Sequence, residues 1–328
     1  MRNKRPVIFL AVALSVAIMG WSAGDTFAQP YPNRPLRMVI GFPPGGSADV
    51  VGRLVGQKLS DVLGQPVVVE NRPGASTAIA AERVATAPPD GYTVLLVAAS
   101  TTITSALRRK TLPYDLERGF THVSLLAVGP FILVVHPSLP VRSAKEFIVL
   151  ARSQPGKLNY GSPGVGSVNH VTGELFRLGT GVKIVHVPYK GSSETSVANA
   201  AGEIEFSFPS IPAALPFLEN NKLRGLAVTS LTRVPAIAAV PTLDETVLPG
   251  FNYAGRLGLS VAAAVPRDVV KRLNAAIVKV VNTDEMKAAI AKQGFDAQAS
   301  TPEEYGALIQ GDIAKVTTLI EKTGMKVE

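Results

Sequence analysis

Short apolar runs alternate with stretches of helical spacing from residue 36 to residue 229, an order that leaves few architectures open. LRMVIGF (36–42) is an apolar run bounded by turn residues, as suits a strand buried on both faces of a parallel sheet. From Asp49 the apolar positions fall at 50, 51, 54, 55, 59, 62 and 63, the spacing of a helix. VVVE (67–70), a turn at Asn71-Arg72-Pro73-Gly74, a helix over Ser76 to Ala87 and the strand YTVLLVA (92–98) follow. FILVV (131–135), KIVHV (183–187), IEFSF (204–208) and LRGLAVT (223–229) continue the series, with helices between them. Ser143 and Glu146 form a capping box. The tail predicts helices over 267–281, 284–293 and 302–323, the last opened by Thr301-Pro302-Glu303-Glu304. Such alternation predicts an α/β fold with mostly parallel sheets and right-handed crossovers.

The 328 residues exceed one comfortable core and suit two domains. No flexible linker divides them. Two lobes joined by more than one strand account for both facts, and they leave a cleft between them. The expected boundaries are residues 29–128 plus 252–328 for the first lobe and 129–251 for the second. Residues 1–28 read as a secretory signal peptide. Arg2, Lys4 and Arg5 make a positive start, residues 7–19 are apolar, and Thr26-Phe27-Ala28 is a cleavage site. The apolar run falls short of the roughly 20 residues a membrane span needs. The chain has no cysteine, which excludes disulfides, thiol chemistry and Cys-based metal sites. A soluble periplasmic protein is the expectation. The 33 basic and 25 acidic residues become 30 and 24, a net charge of about +6, once the leader is removed. These charges are scattered, apart from Arg108-Arg109-Lys110, and no aromatic residues interleave with them, so nucleic acid is not an expected partner. A mild positive field gathers small anions.

The chemistry-bearing segments are loops at strand ends. In IGFPPGGSADVVGRLV (40–55) a strand ends at Phe42, two prolines stop sheet pairing, and Gly45 and Gly46 let a backbone come close to a ligand. Ser47 is the expected cap of the following helix. A helix start at the carboxyl end of a strand is an anion site. By itself this loop fits a plain strand-to-helix turn equally well. YGSPGVGSVNHVTGELF (160–176) repeats the arrangement, offering Ser162, Gly164, Gly166 and Ser167. The strand end Ala99-Ser100-Thr101-Thr102 is a third candidate. Several donor-rich loops with few carboxylates resemble a clamp for a small anion.

Other chemistries lack their signatures. Asn169 stands where the dinucleotide fingerprint needs its third glycine, and Gly156-Lys157 is followed by Leu158 rather than by a P-loop Ser or Thr. There is no G-x-S-x-G elbow and no H-E-x-x-H. Of the four histidines, only His170 sits on a site loop, either as a ligand neighbour or as a packing residue at a helix start. No enzymatic activity, metal or cofactor is expected.

The ordered motifs YPNRPLRMVIGFPPGGSADVVGRL, GQPVVVENRPGA, PPDGYTVLL, LPYD, KLNYGSPGVGS, VHVPYKGSSE, LRGLAVTS and STPEEY resemble the Bug-type receptors. These are the extracytoplasmic solute-binding subunits of tripartite tricarboxylate transporters. The resemblance runs from about Tyr31 to the end. It implies a two-lobed, type II periplasmic-binding-protein-like fold that closes on a small carboxylate. It also implies delivery to a membrane permease of one large and one small subunit, by a receptor expected to be monomeric. By this resemblance the carboxylate is held by the loop 42–49, with Phe42, Pro44, Gly45, Ser47 and Asp49, and by the loop 161–168, with Ser162, Gly164, Val165, Gly166 and Ser167. Asp49 is expected to order the helix start rather than touch an anion. Ser100, Thr101, His170, Pro209, Ser210 and Arg256 complete the expected pocket.

The chain departs from the family pattern at four places. Val165 stands where the family usually has Asn, Pro163 where it has Ser, and Pro209 where it often has Asp. Arg256 stands where an aromatic residue is common. An acid lost and a base gained predict a more anionic ligand, a di- or tricarboxylate with its distal charge near Arg256, unless Arg256 is a solvated surface residue. Two rival functions remain at this level: a ligand sensor signalling to a membrane kinase and, more remotely, an α/β hydrolase.

Overall fold

The computed structural model describes residues 31–189 and 191–324. The signal peptide expected over residues 1–28 lies outside the described residues. From Arg34 onward the chain forms one compact unit.

Two sheets carry the fold. The first contains β1 (Leu36–Ile40), β2 (Val67–Asn71), β3 (Thr93–Ala98), β4 (Phe120–Pro130), β10 (Ala254–Ala262) and β11 (Asp296–Ala297) in the order β11-β4-β10-β3-β1-β2. The second contains β5 (Ile132–Val135), β6 (Leu158–Ser162), β7 (Ile184–Pro188), β8 (Phe206–Ser207) and β9 (Arg224–Val228) in the order β7-β6-β8-β5-β9. Helices flank both: α1 (Ser47–Leu63), α2 (Ala78–Ala85), α3 (Ala99–Leu107), α4 (Ala144–Ser153), α5 (Val168–Thr180), α6 (Ser192–Ala201), α7 (Ile211–Glu219), α8 (Leu243–Thr246), α9 (Arg267–Val281), α10 (Asp284–Ala291) and α11 (Pro302–Thr323). Among the described residues no helix is long and apolar enough to cross a membrane.

The sheets are mixed rather than mostly parallel. β1 pairs in parallel with β2 and β3, and β6 with β7 and β8. β10, by contrast, runs antiparallel to both β3 and β4, as β5 does to β8 and β9. The cause is the traffic between the sheets. The chain leaves the first sheet along β4, passes Phe131 and enters β5. It returns from β9 through residues 229–253 into β10, beside β4 and in the opposite direction. The β4–β10 ladder continues to the pair Pro130 and Ala254, so the first passage falls at Phe131. Buried Thr229 ties the passages together. Its Oγ1 accepts from the Phe131 amide at 2.9 Å, its own amide donates to Phe131 O at 2.9 Å, and its carbonyl accepts from the Tyr253 amide at 3.1 Å.

The cores follow the sequence pattern. α9 buries Val269, Val270, Leu273, Ala276, Ile277, Val280 and Val281, one apolar stripe at helical spacing. α11 starts at a reciprocal capping box between Thr301 and Glu304 and ends at left-handed Gly324. It packs on α3 and β4. In the second sheet Phe147, Tyr160, Phe176, Phe206 and Phe208 are fully buried, with the Phe147 and Phe206 rings 4.7 Å apart edge to face. Burying each such ring contributes about 1.5–3 kcal/mol.

Two local expectations change. Residues 99–102 are the first turn of α3, not a strand-end loop: packing against α11 overrides the weak helix preference of Thr101 and Thr102. The cap of α1 is Gly46, and Ser47 is already helical.

The turn before α2 is strained. After Gly74, Ala75, Ser76 and Thr77 all have positive φ, of 46°, 52° and 77°. A left-handed backbone costs an L-residue about 1–2 kcal/mol, and glycine is freed of it at an entropic cost of about 0.5–1 kcal/mol. Exposed Ser76 uses only its carbonyl, which accepts from Thr104 Oγ1 at 2.9 Å. Ser76→Gly therefore raises unfolding free energy by about 0.5–1 kcal/mol in urea titrations; a drop in midpoint would mean the left-handed turn is not formed.

Candidate functional site

A cavity of about 330 Å³ lies between residues of the two sheets. Five helices begin at it. α1 contributes Ala48, α3 contributes Ala99 and Ser100, and α5 contributes its cap Ser167 with Val168 and Asn169. α6 contributes Ser192 and α7 its cap Ser210. The first-turn amides of a helix have no acceptor within it, and each helix start carries roughly half a positive charge. Five of them surround the cavity, and no acidic side chain is among the described residues that line it.

Asp49 builds the first loop. Its Oδ2 accepts from the Gly45 amide at 2.9 Å and from Arg53 Nε at 3.0 Å. Its Oδ1 accepts from Asn71 Nδ2 at 2.7 Å, and that amide also donates to Phe42 O at 3.0 Å. Burial opposes ionisation of Asp49, but these donors outweigh it and hold the carboxyl below its ordinary range. The result clamps the turn so that Phe42 and Ala48 reach the cavity. Pro44, Gly45 and Ser47 are exposed at the loop tip and Asp49 is buried beneath it; none of the four is part of the lining.

The second loop is held from below by two histidines. Buried Ser162 Oγ lies 3.0 Å from Gly164 O and 2.7 Å from His186 Nε2. One hydroxyl proton serves only one of them; with Gly164 O taking it, His186 Nε2 carries its own proton and donates. The Gly166 amide donates to His170 Nδ1 at 3.1 Å, so that nitrogen is unprotonated. The Ser167 hydroxyl accepts from the His170 amide at 3.2 Å, capping α5. The His170 and His186 rings stack with centroids 4.0 Å apart. Of this loop only Ser167 among the expected residues lines the cavity, joined by Pro163. Ser162, Gly164 and His170 support it from outside, while Val165 and Gly166 face a separate small crevice with Ser76, Thr104, Leu107 and Arg108.

Ser100 lines the cavity, whereas Thr101 is buried with its Oγ1 3.0 Å from that of Thr77. Ser210 lines it and Pro209 does not. Arg256 lines it and is 7% exposed, not solvated, but its guanidinium is bound to the carboxylate of Asp312 on α11. The base that the sequence adds is thus balanced by an acid 56 residues away, which no local pattern announces.

Sequence reasoning missed Ser192 and the aromatic wall. Ser192 follows the end of β7 in the motif VHVPYKGSSE, the same strand–glycine–serine–helix order that marked the other loops. Phe131 and Phe295 carry no such signal. A Cβ on Gly129 would stand 2.8 Å from Cδ1 of Phe295, and one on Gly255 3.5 Å from Cζ of Phe131. The two passage strands therefore lack side chains where these rings lie.

Burial holds the His186 imidazole down at about 4 and does the same to His122, whose Nδ1 lies 2.8 Å from Ser260 Oγ. Both remain neutral in the folded protein where an unfolded histidine, titrating near 6.5, is already charged. Their stabilising effect is complete above pH about 6.5 and is lost as pH falls towards 4. For the more buried His122 the full loss is about 3 kcal/mol. Urea midpoints are expected to fall between pH 7 and pH 4.5, less steeply in His122→Asn; identical slopes would contradict a neutral buried imidazole.

Residues 51–325 match the family described as tripartite tricarboxylate transporter family receptor. The chain is similar to the protein BugT of Bordetella pertussis, at 31% identity over 98% of each sequence. It is similar in structure to a TctC solute-binding protein from Polaromonas, with a TM-score of 0.81, 29% identity and coverage of 89% of this chain and 99% of the other. A protein of R. palustris solved with adipate gives a TM-score of 0.75 at 33% identity, covering 90% of this chain and 99% of the other.

Proposed function

Because the chain belongs to the tripartite tricarboxylate transporter receptor family, we propose that it captures a small carboxylate in the cavity at the five helix starts and delivers it to the transporter's membrane permease. The convergence of those helix starts around a lining free of acidic side chains carries this reading. Each start contributes about 0.3–1 kcal/mol towards an anion, up to ~2 when partly buried. Each hydrogen bond to a charged group adds about 1.5–3 kcal/mol. Two or three of each reach the roughly 8 kcal/mol of micromolar binding.

Capture follows from two states. One lobe is built on the first sheet and the other on the second, and they move about the passages at Phe131 and Tyr253. Apart, the donors of the two lobes are hydrated separately. A carboxylate bridging them favours closure by its differential affinity for the closed state. The exposed tip of Pro44, Gly45 and Ser47 then folds over the ligand. The receptor works as a monomer in the periplasm after cleavage near Ala28, with a permease of one large and one small subunit. The relative solved with adipate supports a carboxylate as the guest.

A thermal-shift screen of small carboxylates against their neutral amides tests the reading. A carboxylate at 100 times its Kd adds ~2.7 kcal/mol of stability and its amide does not. X-ray scattering then records a smaller radius of gyration. Amides that stabilise as well as acids, or no acid that stabilises at all, would refute carboxylate capture.

A further inference from the structure

The cavity wall is poor in formal charge and rich in flat apolar surface. Among the described lining residues Arg256 is the one ionisable side chain, and Asp312 neutralises it in a pair with both partners buried. The helix starts offer partial charges to one carboxylate, but among the described residues no side chain lining the cavity carries a free cation for a second. Phe42, Phe131 and Phe295 line the same cavity as those helix starts. Phe131 is bridged in antiparallel fashion to Ser210, the cap of α7, which puts an aromatic side chain directly beside a donor terminus. Phe295 lies over Gly129, and its ring and that of Phe131 both approach Gly255, at 3.8 and 3.5 Å from where a Cβ would stand. The rings fill the space over these glycines, and an aromatic lining of this kind favours a flat apolar body over a second charged group.

We infer that the cavity is matched to a monocarboxylate carrying a flat apolar ring, in preference to a di- or tricarboxylate; the inference rests on the proposal of carboxylate capture. The carboxylate sits at the helix starts and the ring packs against Phe131, Phe295 and Phe42. This ligand class differs from the more anionic one that Arg256 suggests when its partner is unseen.

Isothermal titration calorimetry on the mature protein with benzoate, benzamide, adipate and citrate tests it. Benzoate is expected to bind at least tenfold tighter than adipate, citrate and benzamide. Phe295→Ala and Phe42→Ala, each checked for native circular dichroism, are expected to weaken benzoate at least tenfold. Adipate or citrate binding as tightly as benzoate would overturn the ring-acid inference and leave carboxylate capture standing. Benzoate affinity unchanged in both folded variants would overturn it too. Benzamide binding as tightly as benzoate would instead overturn carboxylate capture itself.

Discussion

Asp312→Ala lowers the stability of the protein by about 3–5 kcal/mol, because it leaves the buried Arg256 guanidinium without its counter-charge. Arg256 sits on β10 with 7% of its surface exposed, and Asp312 on α11 with 6%. Taking two such charges out of water is costly, and only their contact offsets the cost. Removing one partner keeps the cost and deletes the offset. Replacing both, as in Arg256→Met with Asp312→Leu, is expected to recover most of the loss, since an apolar pair of similar volume is often neutral or stabilising by about 1–4 kcal/mol. Urea denaturation of both variants reads the difference. A single variant that costs under about 1 kcal/mol would show that solvent screens the pair, and that Arg256 offers the cavity a usable charge.

Ala99→Asp abolishes carboxylate binding without harming the fold. Ala99 is the first residue of α3 and lines the cavity. An acid in a helix's first turn stabilises that helix by about 0.3–1 kcal/mol, so the unliganded melting temperature holds or rises. The same carboxylate competes for the α3 amides and repels the guest. Two unit charges 4 Å apart repel by about 4 kcal/mol at an effective dielectric constant of 20. Binding is therefore expected to fall more than 100-fold, the equivalent of about 2.8 kcal/mol. Ala99→Asn, of the same shape and uncharged, is expected to stay within tenfold of the parent. Normal carboxylate affinity in Ala99→Asp would mean that the acid group binds away from this helix start.

Much of the fold is legible in the sequence wherever local chemistry decides it. α9 and α11 run over the predicted residues because an apolar stripe defines one and a capping box with a first-turn proline opens the other. Strand direction is less legible. The apolar run of β10 says that it is buried, but its antiparallel pairing with β3 and β4 is set by where the chain re-enters the first sheet. α3 is hidden for a different reason: its run of Ala, Ser and Thr has little helical preference, and α11 supplies the packing that makes it a helix.

The site divides the same way. The starts of α1 and α5 announce themselves through glycine and serine after a strand, and Phe42, Ser100, Ser167, Ser210 and Arg256 all line the cavity. The loops also contain residues that build rather than line it. Ser162 reads as a donor to the ligand in sequence, yet its hydroxyl turns inward to Gly164, while Asp49 and His170 accept from the Gly45 and Gly166 amides within their own loops. Phe295 comes from the turn after α10, and its approach to Gly129 depends on the whole first sheet.

Five like-signed poles crowded round one small volume also push on each other. Without a guest they form a loaded spring, eased when water or any small inorganic ion moves in. The arriving acid releases that tension as well as making its own bonds. In the proposed two-state capture, the same repulsion would weigh against shutting on an empty cavity.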